Sequence, residues 1–258
     1  MAGGGANEVT QPSITVKDVA LRFVVGRSAS SVKSVSLRIA KRLLGNDAKP
    51  APLHELWPLQ GINLNLVRGD RLGIVGRNGV GKTTLLRILS GIYPPTRGTV
   101  ERVGTLAPVL QLGLGFNGEL TGRENVHIAA AIAGMSRRKT RRKLDEIFAF
   151  AELEDYLDVP LKYYSTGMYA RLAFSLVTEL ETDILLLDEI FAVGDIHWID
   201  RALERVERLI ERVGILVLVS HDLQLIERLC NRAILLEDGR VRLEGAPKEV
   251  IERYRECG

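Results

Sequence analysis

Hydrophobic and polar positions alternate in two early segments of the chain and then give way to short apolar runs. Residues 14–24 and 59–67 alternate loosely, which predicts two strands that each bury one face. Residues 71–75, 183–187 and 214–219 are short apolar runs with the length of fully buried strands. Such runs, separated by helical patterns, indicate a mostly parallel sheet that is covered on both faces.

Helical patterns separate these strands. Residues 83–89 place apolar residues at helical spacing, and residues 124–158 are rich in Ala, Lys, Arg, Glu and Leu, as helices are. Near the C-terminus, segments 233–237 and 240–244 flank an Asp-Gly dipeptide, which is typical of a β-hairpin turn. No stretch repeats, so the pattern predicts one domain of this kind.

Both ends of the chain and one internal segment fall outside this pattern. Residues 1–13 are Gly/Ala-rich and polar, and we expect a disordered tail there and a C-terminal tail at 251–258. Residues 26–56 have the character of an insertion in the domain that spans residues 14–250. No run approaches the ~20 apolar residues that cross a bilayer, and no signal-peptide pattern is present. Any membrane association is therefore expected to require a partner.

The composition is that of an ordinary globular protein. Of the 258 residues, 46% are hydrophobic and 26% are charged, which is enough apolar sequence for one substantial core. The net charge of +3, from 35 basic and 32 acidic residues, is too small to indicate nucleic-acid binding by itself. Cys230 and Cys257 do not make a disulfide framework and favour reduced thiols in a cytosolic protein.

A glycine-rich sequence, GRNGVGKTT, joins the predicted strand 71–75 to the predicted helix 83–89 and fits the pattern G-x-x-x-x-G-K-[ST]. Glycines let several backbone N–H groups converge on one anion, and the helix N-terminus adds a positive dipole end. The lysine provides a charge for the β- and γ-phosphates, and the threonine hydroxyl can bind Mg²⁺. A chance glycine-rich loop rarely has this strand-to-helix context. The predicted nucleotide-binding residues are Gly76, Asn78, Gly79, Gly81, Lys82, Thr83 and Thr84.

Two adjacent acids, Asp188 and Glu189, end the apolar run 183–187. A buried strand rarely ends in paired carboxylates without a partner charge, and the Mg²⁺ bound to ATP would supply one. Asp188 would then lie near the metal, while Glu189, as a catalytic residue with Lys82, would polarise or orient the attacking water. A solvated strand end is the alternative for the acids alone. Together with the glycine-rich loop, they favour ATP hydrolysis.

His221 follows the run 214–219, within the sequence VSHD. A lone histidine is more often structural than catalytic. The strand before His221 is expected to lie beside the strand that ends at Asp188, where the γ-phosphate would bind, although sequence alone does not establish strand order. A catalytic role for His221 therefore depends partly on family resemblance.

The sequence YSTGMYARL, which contains Ser165 and Gly167, lies shortly before the acidic pair. It resembles the L-S-G-G-Q signature of ABC ATPases, with Thr166 and Met168 in place of Gly and Gln. The order of all these motifs is similar to that of the ABC family over residues 14–250. The resemblance implies an α/β fold, an ABC-type P-loop ATPase with a RecA-like mixed-sheet core, an antiparallel β-subdomain and a helical subdomain.

Longer strings resemble one branch of that family. The sequences LGLGFNGELTGREN and LLLDEIFAVGD, with the HELW sequence in the insertion, are similar to ATPases that export O-antigen, capsule and teichoic acid. By this resemblance, residues 14–112 and 172–250 would form the nucleotide-binding core and residues 113–171 the helical subdomain. The additional C-terminal carbohydrate-binding domain of some O-antigen ATPases is not expected, because the sequence ends at Gly258.

The resemblance also implies roles for residues outside the glycine-rich loop. Two copies of the chain would pair as a C2 dimer, in which Ser165 and Gly167 contact the γ-phosphate bound to the opposite copy. Gln111 would lie near the nucleotide and the metal, in the segment that also senses the permease. Asp195 would lie at the dimer seam beside the nucleotide, and His221 would be catalytic.

An aromatic residue near the first strand usually stacks on the adenine in proteins of this family. Phe23 fits that position best, and Trp57 is its rival. Either residue could instead belong to the core, where aromatic side chains are common. Both alternatives stay open at the level of the sequence.

The preferred function is export powered by hydrolysis of ATP, bound with Mg²⁺, on the cytoplasmic side of the cell membrane. The chain would act on a membrane-embedded permease, expected in two copies, that carries a lipid-linked polysaccharide, and it would bind no nucleic acid. One alternative is a soluble ABC ATPase that acts on nucleic acid or ribosomes, although such proteins usually carry two cassettes or long coiled coils. A P-loop kinase or GTPase is another, which the signature and His221 disfavour.

Two basic segments have open interpretations. Residues 33–44 form a basic amphipathic pattern, and we hypothesise that they face the membrane or the permease. Residues 137–143 could contact anionic lipid headgroups, a phosphorylated substrate or nucleic acid. A solvated helix start is the favoured interpretation of residues 137–143, because charge runs usually mark exposed faces.

Overall fold

The structure, a computed structural model, describes residues 11–25, 54–110, 113, 115–189 and 196–257. Residues 1–10 of the expected tail and 26–53 of the expected insertion, including the basic segment 33–44, lie outside the described residues.

The described strands are β1 (Ser13–Val25), β2 (His54–Val67), β3 (Arg71–Val75), β4 (Arg97–Val103), β5 (Leu106–Val109), β6 (Ile184–Asp188), β7 (Ile215–Val219), β8 (Arg232–Glu237) and β9 (Arg240–Gly245). The described helices are α1 (Lys82–Leu89), α2 (Gly122–Ile132), α3 (Arg137–Ala151), α4 (Thr166–Val177), α5 (Ile196–Ile210), α6 (Leu223–Leu229) and α7 (Pro247–Cys257). Short 3₁₀ turns cover Glu154–Tyr156 and Leu161–Tyr163.

The larger sheet has six strands in the order β5-β6-β7-β3-β8-β9. The first five strands in this order are parallel, and β9 returns antiparallel to β8. The predicted parallel sheet and the predicted C-terminal hairpin are therefore confirmed. Because parallel strands have their carboxyl ends at the same edge, the loops that follow β3, β6 and β7 leave the sheet side by side.

The smaller sheet has three antiparallel strands in the order β2-β1-β4. Ile14 and Val16 of β1 are buried together with Leu64 and Leu66 of β2, while the residues between them are more exposed. This is the one-sided burial that the alternating pattern predicts. Strand β2 begins at His54, so the last three residues of the expected insertion, 54–56, belong to the sheet instead.

The apolar core lies on both faces of the six-stranded sheet. Leu185 and Leu187 of β6 belong to a cluster that includes residues of helices α2 to α7. Ile184 and Leu186 belong to a second cluster, which includes α1 and the smaller sheet. Successive residues of a strand point to opposite faces, so a strand between two apolar layers reads as a continuous apolar run.

Helices α2, α3 and α4 pack together as a helical layer. Helix α2 begins at a capping box, in which Thr121 and Glu124 bind each other's backbone N–H group. Helices α3 and α4 begin at Ser136 and Ser165, whose side chains accept hydrogen bonds from the first turn. The helical prediction for residues 124–158 is thus confirmed over α2 and α3, whereas residues 152–158 form turns and a short 3₁₀ turn. Within the described ranges, every helix is too short or too polar to cross a lipid bilayer.

The basic run 137–143 occupies the first two turns of α3. Arg137 and Arg138 are exposed, Lys139 pairs with Glu181, and Lys143 pairs with a nearby glutamate. Such exposed pairs contribute little to stability. Thr140 within the run is buried, so the exposed face of this helix start carries Arg137, Arg138, Arg141 and Arg142.

Residues 251–257 differ from the expected C-terminal tail, because they continue helix α7. Val250 and Ile251 are almost completely buried, and Tyr254 packs against the same cluster. Apolar residues at this helical spacing bind the amphipathic helix to the core. The expected boundary at residue 250 therefore cuts through a packed element and is wrong.

Phe148 of α3 is completely buried in the cluster beneath the helical layer. Replacing it with alanine removes that packing and leaves a cavity, so we expect Phe148→Ala to lower the free energy of unfolding by about 3–5 kcal/mol. Urea denaturation measures the change. The control is Ile92→Ala, at a position that is 52% exposed. This variant is expected to change the free energy of unfolding by less than about 0.5 kcal/mol. Equal losses in the two variants would contradict the core position of Phe148.

Candidate functional site

The glycine-rich loop connects β3 to α1 and lies close to other backbone segments. A Cβ atom at Gly76 would lie 2.4 Å from the carbonyl oxygen of Leu236, and one at Gly81 would lie 2.7 Å from that of Pro58. Gly81 also has a φ of 113° and occupies the N-cap position of α1. Only glycine fits both positions, so the loop can hold its backbone N–H groups together at the helix N-terminus.

Lys82, the first residue of α1, is 7% exposed. Its Nζ donates hydrogen bonds to the carbonyl oxygens of Gly76, at 2.7 Å, and Arg77, at 3.0 Å. Burial lowers the pKa of Lys82, and the nearby carboxylates of Glu189 and Asp188 oppose that shift. The loop thus curls around a lysine charge that lies near both acids.

Asp188 ends β6 and is half-buried at the edge of the sheet. Burial raises the pKa of this carboxyl, a hydrogen bond with Thr83 opposes the shift, and the neighbouring charge of Glu189 adds to it. The Oδ1 atom of Asp188 is buried and has no hydrogen-bond partner among the described residues. Carboxylate and hydroxyl oxygens are the ligands that Mg²⁺ prefers, so an unpaired oxygen beside Thr83 fits such an ion.

Glu189 and His221 meet at the same edge. The Nε2 atom of His221 lies 2.6 Å from Oε1 of Glu189, and both side chains are about half exposed. Glu189 has a φ of 52°, an uncommon left-handed backbone for this residue, and its N–H donates to the carbonyl of Val219 at 3.0 Å. Backbone strain of this kind concentrates at functional sites. Strands β6 and β7 are neighbours, as expected from the sequence.

The signature residues lie apart from this cluster in the single chain. Ser165 is exposed and caps α4, and its Oγ accepts a hydrogen bond from the N–H of Met168 at 3.2 Å. A Cβ atom at Gly167 would meet only Oγ of Ser165, at 3.8 Å. Packing within the described chain therefore does not require glycine there. Among the described residues, no hydrogen bond or ion pair joins Ser165 or Gly167 to Lys82 or Asp188.

A cleft of about 570 Å³ opens beside the glycine-rich loop. Trp57 lines it together with Arg77, Asn78, Gly79 and Val80 of the loop and with the β8–β9 turn. Phe23 does not line this cleft, and its ring packs edge-on against Tyr93 with ring centroids 5.8 Å apart. The structure thus places the rival aromatic, Trp57, beside the loop.

Arg22 and Arg97 lie over the ring of Trp57, at 5.7 and 5.5 Å from its centroid, and sequence reasoning missed both of them. Sequence reasoning also did not predict that the turn at Gly239 lies beside the glycine-rich loop. Its Asp-Gly dipeptide signals a hairpin, but no local signal tells where that hairpin packs. Two further predicted residues, Gln111 and Asp195, lie outside the described residues.

The fold and this loop define a P-loop protein, in which a strand–loop–helix unit at the carboxyl edge of a parallel sheet is built to hold phosphate groups. A family model described as ABC transporter matches residues 59–192. The chain belongs to the ABC transporter family. The expected fold class is confirmed.

Comparison with known proteins gives the same family. The O-antigen export system ATP-binding protein RfbB of Myxococcus xanthus is 45% identical over 77% of this chain and 46% of its own length. The protein of the same name from Klebsiella pneumoniae is 36% identical over 77% of this chain and 81% of its own length. The chain thus spans less than half of the first relative and most of the second.

Solved structures share the fold at lower sequence identity. The dimeric post-hydrolysis state of the ATP-binding cassette MJ0796, bound to ADP and Pi, has a TM-score of 0.69 with this chain. The two sequences are 21% identical, and the match covers 91% of this chain and 98% of that one. At this identity the likeness shows the fold alone.

The close approach at Gly76 gives a prediction for stability. We expect Gly76→Ala to lower the free energy of unfolding by at least about 2 kcal/mol, because its Cβ atom would collide with a backbone carbonyl. The matched control is Gly79→Ala, where φ is 77° but no atom lies within 4 Å of the added Cβ. Gly79→Ala is expected to lower the free energy of unfolding by only about 1 kcal/mol. Thermal denaturation without nucleotide measures both, and a larger loss at Gly79 would refute the packing assigned to the loop.

The raised pKa of Asp188 gives a second prediction, on pH dependence. Above that pKa the ionised, partly buried carboxylate destabilises the folded protein relative to the unfolded chain. Asp188→Asn carries no such charge, so we expect it to have a higher Tm than wild type at neutral pH without nucleotide or Mg²⁺. As the pH falls through the raised pKa, wild-type Asp188 is protonated and the difference disappears.

Thermal denaturation of both proteins between about pH 4 and pH 8, a range that spans ordinary carboxyl titration, measures this difference. Asp238→Asn, which removes one carboxylate from an exposed turn, controls for the change in net charge. A Tm of Asp188→Asn below that of wild type at neutral pH would contradict the destabilising role of the buried carboxylate.

Proposed function

We propose that this chain is the ATP-hydrolysing subunit of an exporter that moves a lipid-linked cell-surface polysaccharide across the cell membrane. The observation that carries the proposal is the meeting of Lys82, Asp188, Glu189 and His221 at one edge of the sheet. Similarity to an O-antigen export protein over 81% of that protein's length supports the choice of cargo.

The chain's own residues account for the hydrolytic chemistry. The backbone N–H groups of the loop and the charge of Lys82 bind the β- and γ-phosphates of ATP. The carboxylate of Glu189 orients the attacking water and accepts its proton as the bond to the γ-phosphate breaks. His221, whose Nε2 lies 2.6 Å from that carboxylate, keeps it in place while ADP leaves the γ-phosphate. Such positioned groups do most of the work in phosphoryl transfer.

Mg²⁺ belongs to this proposal as the companion of ATP. The hydroxyl of Thr83 and the unpaired Oδ1 of Asp188 are the oxygens that would hold it, directly or through water. When bound, the ion neutralises charge on the triphosphate. Asp188 itself contributes a half-buried carboxyl group, and the charge of Lys82 opposes the rise in its pKa.

A second copy of the chain completes each ATP site in this proposal. Ser165 is exposed at the N-terminus of α4, and the space above Gly167 is open, as an approaching phosphate requires. By family resemblance, Gln111 would lie beside the metal and Asp195 at the dimer seam. Closure and reopening of the dimer would drive two copies of a permease, with the chain on the cytoplasmic face of the membrane.

Trp57 is the proposed platform for adenine. It lines the cleft beside the loop, whereas Phe23 packs on Tyr93. Arg22 and Arg97 orient the indole by cation–π contact, so an adenine would meet an already oriented ring. This choice reverses the order of preference that the sequence favours.

Substitution of Glu189 tests the hydrolytic role. We expect Glu189→Gln to bind ATP with wild-type affinity and to hydrolyse it about 100-fold more slowly or worse, because the amide cannot accept a proton. Release of inorganic phosphate and equilibrium binding of ATP measure the two quantities. Glu204→Gln, at an exposed position of α5, is the control and is expected to retain wild-type turnover. Normal turnover by Glu189→Gln would end the role assigned to Glu189.

The cargo is tested in cells that depend on this chain. Replacing the gene with the Glu189→Gln form is expected to remove the polysaccharide from the cell surface and to leave its lipid-linked precursor inside. A form carrying Glu204→Gln is expected to restore display. Normal surface polysaccharide with the inactive form would refute the export function and leave the ATPase assignment intact.

A further inference from the structure

We propose that Asn125 is a positioning residue for the signature segment 165–167. Its side chain holds the loop 117–121, and this loop in turn holds segment 157–164, which leads into α4. The inference rests on the proposed function, in which Ser165 and Gly167 act on ATP bound by a second copy of the chain. Among the described residues, the side chain of Asn125 forms hydrogen bonds with the loop 117–121 and with none of the residues that bind nucleotide in its own chain.

The first step is the hydrogen bonding of Asn125, which is completely buried. Its Oδ1 accepts a hydrogen bond from the N–H of Asn117 at 2.6 Å. Its Nδ2 donates to the carbonyl oxygens of Asn117 and Leu120 at 3.0 Å and of Thr121 at 2.9 Å. An amide is the side-chain group that offers a carbonyl acceptor and an NH₂ donor together. Both polar atoms of the Asn125 side chain therefore bind one short loop.

The second step is the contact between this loop and the segment before the signature. The two run side by side, and Thr121 and Pro160 form an isolated antiparallel bridge. Backbone hydrogen bonds between 2.9 and 3.1 Å join them. The N–H groups of Gly122 and Arg123 donate to the carbonyl oxygens of Val159 and Leu157, and those of Leu161 and Lys162 donate to Leu120 and Gly118. A displacement of the loop would therefore displace the segment.

Side chains reinforce the same contact. Arg123 binds Asp158 through two hydrogen bonds, at 2.8 and 3.0 Å. A Cβ atom at Gly122 would lie only 2.4 Å from the hydroxyl oxygen of Tyr164, so the start of α2 packs closely against the residue before Ser165. The Tyr164 hydroxyl itself donates to the carbonyl oxygen of Tyr156, just before this segment, at 2.7 Å.

The third step is the effect on the signature. Leu161 and Lys162, which the loop binds, lie only three to four residues before Ser165. Without the amide of Asn125, the N–H group of Asn117 loses its partner and three carbonyl oxygens keep only their backbone hydrogen bonds, so the loop is held less firmly and shifts. Ser165 would shift with it, whereas Lys82 and Asp188 lie on other elements and would stay in place.

The test uses ATP-dependent dimer formation in the full chain. Glu189→Gln, which is expected to bind ATP without hydrolysing it, serves as the parent, and light scattering after size exclusion with ATP and Mg²⁺ gives its dimer dissociation constant. Adding Asn125→Ala is expected to raise that constant at least tenfold, while the affinity of the monomer for a fluorescent ATP analogue changes by less than twofold. A merely structural defect would weaken both.

Thr140→Ala in the same parent is the matched control. Thr140 is also a buried polar residue of the helical layer, but its hydroxyl donates only to Ser136 in its own helix. This variant is expected to dimerise like the parent. Unchanged dimerisation of the Asn125→Ala protein, or an equal loss of ATP affinity, would overturn the proposal. A parent that binds ATP and stays monomeric would instead refute the dimeric function itself, and the positioning role with it.

A second pair of variants covers the case in which Asn125→Ala does not fold. Arg123 and Asp158 are both exposed, so Arg123→Asp leaves the core intact and sets two carboxylates against each other across the contact. In the same parent it is expected to raise the dimer dissociation constant at least threefold. Adding Asp158→Arg is expected to restore the parent value. Failure of the first change to weaken the dimer, or of the second to rescue it, would count against the proposal.

Discussion

The hydrogen-bond register of three parallel strands determines where every reactive group lies. Asp188 of β6 lies opposite Val219 of β7, and Val219 lies opposite Ile74 of β3. The strands therefore end at one level, and the loops after them carry Lys82, Glu189 and His221 to a common place. The two apolar clusters enforce this register, because a slip by one residue would exchange the faces of a strand that is buried on both sides.

At this carboxyl edge of the sheet, charged groups lie in a partly desolvated site. Burial lowers the pKa of Lys82 and raises that of Asp188, which means that both charged forms lack part of the solvation they have in water. Lys82 is satisfied by loop carbonyls, while one oxygen of Asp188 has no hydrogen-bond partner among the described residues. A multiply charged anion bound with its own cation would satisfy both groups at once.

Local sequence patterns predict the sheet and the glycine-rich loop well, because strand burial and glycine spacing depend on residues that are close together in the chain. The continuous apolar run of β6 and the glycine spacing around Gly76 are both patterns of this kind. What the sequence does not predict depends on contacts between distant segments. The position of Trp57 in the cleft, the burial of Asn125 and the packing of Ile251 each require knowing which part of the chain lies opposite. The expected C-terminal tail at 251–258 overlooks the helical spacing of Val250, Ile251 and Tyr254, which the sequence already contains.

The pairing of β1 with β2 has a consequence for how this chain tolerates change in length. Val25 and His54 are register partners at the open end of the antiparallel pair, so the chain leaves and re-enters the smaller sheet at adjacent points. The entropy of closing a loop grows only slowly with its length, and the strands on either side fix its two ends. Natural additions or a grafted reporter domain could therefore enter between β1 and β2 without altering the strand register. This makes the junction a suitable place for labelling the chain.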